Sequence, residues 1–142
     1  MSLASPRPEI LVRNLHFRRI WIGLSLVLVC VSLWYFLAPL PPDFARWLHV
    51  PFKDKVLHIF AFTALTGWFA SLLANVRWRR LALCLVLYGI VIEVLQGIMG
   101  LGRQAEALDV VADCAGLAIG FSLATWFGVR LLAGIDAWLC RL

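Results

Sequence analysis

Asp54, Lys55 and His58 place three titratable groups within about one helical turn, with Asp54 and His58 on one face at i, i+4. Glu93 and Gln96 share a face at i, i+3, and Asp109 and Asp113 share one that continues through Gly116 and Gly120. A histidine among carboxylates supports acid–base chemistry, with His58 and Glu93 as the catalytic pair. It also supports a hard divalent metal, held here by Asp109 and Asp113, that polarises a phosphoryl or acyl oxygen and activates water. Without turnover the same groups form a ligand pocket. Lys55 and Arg103 would attract phosphate or carboxylate, Glu93 and Asp109 would take polar or cationic groups, and His58 with Gln96 would orient the ligand, with Asp54 and Asp113 lining the same space. No Walker loop, HExxH or GxSxG is present, so enzyme or binding protein stays open, as do metal and cofactor content.

The elements that must position these residues are set by composition. Of 142 residues, 63% are hydrophobic and 15% charged, and the mean hydropathy is +0.90, far from a water-soluble domain. The expectation is an all-α polytopic membrane protein, one domain over 1–142, with four transmembrane helices at about 20–37, 56–74, 81–99 and 108–129. Antiparallel threading puts the start of the second span, the end of the third and the start of the fourth on one side, where all three polar sets converge. Glu93 then lies about 10 Å below the end of its helix and must face the bundle interior. The stretch 97–108 carries Gly100, Gly102, Arg103 and Glu106, a loop able to fold back with Arg103 as a lid-like cation. Gly116 and Gly120, with Ala112, read as a helix-packing stripe, and Gln96 serves helix–helix hydrogen bonding ahead of ligand contact.

Charge bias orients the bundle. Arg7, Arg13, Arg18, Arg19, Arg77, Arg79, Arg80, Arg130 and Arg141 outnumber the basic residues of the other side, so both termini are expected in the cytoplasm and the site on the outer face of the cytoplasmic (inner) membrane. Trp21, Trp34 and Tyr35 supply interfacial anchors for an uncleaved first span, and Leu131 to Leu142 read as an amphipathic segment or a continuation of the fourth span. The net charge of +5 lies beside apolar segments, which argues against nucleic acid. Cys30, Cys84, Cys114 and Cys140 read as packing residues, and Asp43, Glu106 and Asp136 as solvated charges.

The ordered set Asp54-Lys55-x-x-His58, Glu93-x-x-Gln96, Arg103 and Asp109, then Gly116 and Gly120, resembles the signature of the VanZ-like family of small membrane proteins over about residues 50–125. The family takes its name from a protein associated with resistance to the glycopeptide teicoplanin. The resemblance implies an envelope-linked membrane protein. Membrane lipid, a cell-wall precursor and a glycopeptide are the candidate partners of the pocket. Asp113 stands where the family usually carries asparagine, adding a negative charge that a proton, Lys55, Arg103 or a metal must compensate. A lipid hydrolase or transferase built on His58 and Glu93, and an ion- or proton-coupled transporter, are the rival readings. The second finds no matching acids beyond Gly120 in the inner half of the spans.

Overall fold

The structure is a computed structural model that describes residues 15–39, 41, 43, 52–73, 78–100 and 105–141. Arg103, and with it the expected lid, lies outside them. Among the described residues, four helices are long and apolar enough to cross a membrane. They are α1 (Arg18–Leu37), α2 (Lys53–Leu72), α3 (Trp78–Met99) and α4 (Ala107–Leu123). A π-helical turn, Ala124–Gly128, carries α4 without a loop into α5 (Val129–Leu139). Apart from an isolated bridge at Leu73, the described residues hold no β structure. The second helix begins earlier and ends earlier than its hydropathy indicates, because Asp54 and Lys55 belong to its first turn and Leu73 is already extended.

α2 is the least apolar span, with a mean hydropathy of 1.3 against 2.3 for α1, and it takes the central position. Its contact with α4 is the most extensive in the bundle. Glycine makes that approach possible. A Cβ on Gly116 would stand 2.6 Å from the Ile59 carbonyl oxygen, and one on Gly120 would stand 2.6 Å from Thr66 Cβ. Thr63 Oγ1 donates to the Gly116 carbonyl at 3.2 Å across the same seam. Phe36, Phe62, Leu65, Leu85, Ile92 and Leu117 fill the shared core, while Ile20, Leu26, Leu83, Leu87 and Ile98 point outward, as a lipid solvent requires. The four cysteines are unpaired and also face outward, so they do not pack the core as their place in apolar runs indicated.

At the opposite end from the candidate site, α5 is fastened to the start of α1. Arg18 and Arg19 occupy the first turn of α1, where positive charge opposes the helix dipole, and no side chain of its own N-cap helps. Asp136 supplies both missing terms. Its carboxylate accepts the His16 N–H at 2.7 Å, the Phe17 N–H at 3.2 Å and Trp21 Nε1–H at 2.8 Å. Asp136 is therefore buried and is not the solvated tail charge expected from its position; α5 turns Leu132 and Asp136 inward and leaves Ile135 and Trp138 exposed. Burial pushes its carboxyl up, but the bonds from Trp21, His16 and Phe17 outweigh it and hold the group at about 2.

Two outcomes are expected. Gly116→Ala should cost about 1–3 kcal/mol of stability by overpacking the α2–α4 seam. Gly23→Ala, where nothing among the described residues beyond its chain neighbours and own helix backbone lies within 4 Å of the added carbon, should be neutral or slightly stabilising; equal unfolding midpoints for the two variants would contradict this packing. The folded carboxyl of Asp136 sits below its ordinary value of 3.8, so its stabilising contribution is complete above about pH 4 and is lost as pH falls toward 2. The melting-temperature gap between wild type and Asp136→Asn should be widest near pH 6 and close over that window, and a gap independent of pH would overturn the assignment.

Candidate functional site

The site is assembled from the first two turns of α2, the last two turns of α3 and the start of α4. Phe52, with φ of 69°, turns the chain into α2, and Asp54 then stands in the first turn, where a carboxylate is favoured by the helix dipole. Lys55 spans the gap to α4. Its Nζ lies 2.6 Å from Glu106 Oε2 and 3.2 Å from Asp109 Oδ1. Glu106 is the N-cap residue of α4 and its carbonyl accepts the Asp109 N–H at 2.8 Å, so one lysine holds the incoming chain and the first turn of that helix together.

One turn deeper, His58 is fully buried on the face that α2 turns toward α4 and α3. Its Nδ1 is 2.8 Å from Asp113 Oδ1. Against an ionised Asp113 carboxylate, which only accepts, Nδ1 carries the proton and Nε2 of the neutral ring keeps its lone pair. Nε2 faces Glu93 Oε1 at 3.9 Å, too far for a hydrogen bond and closable by a side-chain shift of about an ångström. The ring stacks at a tilt on Phe36, the centroids 4.7 Å apart. The second oxygen of Glu93, Oε2, accepts the Glu106 N–H at 2.9 Å, which ties α3 to the entry of α4. Asp113 Oδ2 lies directly over Gly89, where any side chain would collide with it.

His58, Glu93 and Asp113 thus meet in one buried cluster, and Lys55 with Asp109 closes it toward the helix ends. Asp54, His58 and Asp109 each bring a potential ligand atom to within 4.8 Å of the others. Gln96 does something else. Its Nε2 donates to the Phe36 carbonyl at 3.0 Å, satisfying one of the last four carbonyls of α1 and joining that helix to α3. Gly116 and Gly120 form the seam below the site.

Sequence reasoning missed three contributors. Glu106, read as a solvated loop charge, is the partner of Lys55 and supplies the N–H that holds Glu93; its spacing of three from Asp109 was the available signal. Gly89, four residues before Glu93 and therefore on its face, makes room for the Asp113 carboxylate. Phe36, the platform under His58, lies in a uniformly apolar turn and carried no signal.

The fold and site define a polytopic membrane protein with four candidate spans among the described residues and, at one end of the bundle, a cluster of buried acids and a buried histidine closed off by the half-buried Lys55. The chain belongs to the VanZ/LLP1 family, whose model matches residues 14–128. No curated protein and no solved structure matches it.

Proposed function

We propose that this VanZ-like protein resides in the cytoplasmic membrane with both termini in the cytoplasm. In this reading its outward-opening polar pocket binds the headgroup of a lipid-linked or otherwise cell-wall-related envelope molecule. One observation carries the reading. His58 Nε2, Glu93 Oε1, Asp109 Oδ2 and Asp113 Oδ2 are buried in the same cluster without a hydrogen-bond partner among the described residues. Each such group costs about 1–3 kcal/mol, and carboxylates more, unless something else satisfies it. A pocket of acceptors selects a donor-rich partner.

Lys55 is already engaged by Glu106 and Asp109, which reduces its value as an anchor for a bare anion. The pocket favours ammonium and hydroxyl groups, as carried by an aminoalkyl phospholipid headgroup, an amino-sugar of a lipid-linked wall intermediate, or a glycopeptide of the teicoplanin type. Binding of the last class would connect the site to antibiotic resistance. A second reading rests on the Asp113–His58 pair: a carboxylate that orients an imidazole and leaves Nε2 facing Glu93 is the arrangement of an acid–base couple for hydrolysis or transfer on a lipid substrate.

Native mass spectrometry of wild type and Glu93→Gln, extracted with surrounding lipid, separates these readings. Wild type should hold one headgroup class enriched over the bulk bilayer, with the enrichment reduced at least about fivefold in the variant, the equivalent of roughly 1 kcal/mol. Wild type carrying the bulk lipid mixture would sink the pocket reading. A headgroup-cleaved or headgroup-exchanged lipid made by wild type and absent with Glu93→Gln would establish the enzyme instead.

A further inference from the structure

We infer that Asp54, His58 and Asp109 form a divalent transition-metal site, with Asp113 as the positioning residue that orients the histidine. The three potential ligand atoms lie within 4.8 Å of one another. Around a metal with bonds of about 2.0–2.2 Å, neighbouring ligand atoms sit about 3–4 Å apart, so side-chain rotations of under an ångström complete the site. His58 and Asp109 are buried to 0% and 1% exposure, and His58 Nε2 and Asp109 Oδ2 have no hydrogen-bond partner among the described residues. With Nδ1 committed to Asp113 at 2.8 Å, Nε2 is the nitrogen left to bind a metal. This is the carboxylate–histidine relay found behind metal-bound imidazoles, where the outer carboxylate fixes the tautomer and makes the ring a better donor.

The ligand chemistry selects the ion. One imidazole and two carboxylates suit Mn²⁺ or Zn²⁺ over the all-oxygen preference of Mg²⁺ and Ca²⁺, and three protein ligands leave positions open. Charge points the same way. Asp54, Glu93, Asp109 and Asp113 gather around Lys55 and His58, and a dication lowers the cost of keeping such a cluster out of water. The Lys55 ion pair is made at Oδ1 of Asp109, and Oδ2, without a hydrogen-bond partner among the described residues, is the oxygen offered to the metal. A bound metal would also give this acceptor-rich pocket a grip on phosphate. The site goes beyond the headgroup reading and does not rest on it.

Full-length protein in lipid nanodiscs, stripped with a chelator and titrated with Mn²⁺ alone, provides the test by electron paramagnetic resonance. One Mn²⁺ should bind per chain with nitrogen modulation from a single imidazole, and Zn²⁺ should displace it. Asp54→Asn and Asp109→Asn should each weaken binding at least tenfold, Asp113→Asn should weaken it about 10- to 100-fold as an outer carboxylate does, and the distant Asp136→Asn should leave it unchanged. Wild type that takes up no more Mn²⁺ or Zn²⁺ than empty nanodiscs overturns the site whatever the variants do. So does binding that lacks nitrogen modulation or that survives Asp109→Asn in folded protein. Stoichiometric Mn²⁺ without headgroup enrichment would defeat the lipid reading alone, and the converse would defeat the metal alone.

Discussion

A carboxylate carried into a bilayer must find a partner or pay several kcal/mol, and this constraint organises the whole chain. Glu93, Asp109 and Asp113 all lie inside spans. Each is turned away from lipid: Glu93 toward His58 and the Glu106 N–H, Asp109 toward Lys55, and Asp113 toward His58. The two helices carrying them, α3 and α4, cannot rotate about their axes without exposing charge to hydrocarbon. Polar burial therefore supplies orientation that a uniformly apolar surface in lipid could not.

Close packing serves the same end. The 2.8 Å contact between His58 and Asp113 requires α2 and α4 to approach at backbone distance, and Gly116 and Gly120 permit this one and two turns below. Gly89 does the corresponding work on α3 by leaving the Asp113 carboxylate a place to lie. Function and stability are consequently hard to separate here, since the groups that could act on a ligand are also the clips of the bundle. Their unsatisfied atoms make the difference: a purely structural network would close on itself, whereas His58 Nε2 and Glu93 Oε1 stop short at 3.9 Å.

The spans were legible because about 20 apolar residues in a row have few other uses, and the meeting of Asp54, His58, Glu93 and Asp109 at one end follows from antiparallel threading. What stayed hidden depends on tertiary partners with no periodic trace. Glu106 and Asp136 have neighbours in sequence that any solvated charge has, yet one meets Lys55 and the other the first turn of α1, 115 residues away at Trp21. Gln96 was readable as a helix-joining amide, although its acceptor, the Phe36 carbonyl, was not. The cysteines failed for a related reason: in lipid an apolar run has no obligatory inside, so membership of the run does not imply burial.

The central claim is that Asp113 holds His58 by Nδ1 and so leaves Nε2 turned into the polar cluster. Nitrogen-15 NMR of histidine-labelled protein in nanodiscs addresses it directly. The account predicts a proton on Nδ1 of His58 whose resonance moves when Asp113 is changed to Asn, while the other histidine signals stay in place. A proton on Nε2 alone, indifferent to that substitution, would contradict it and return the site to a set of unconnected buried charges.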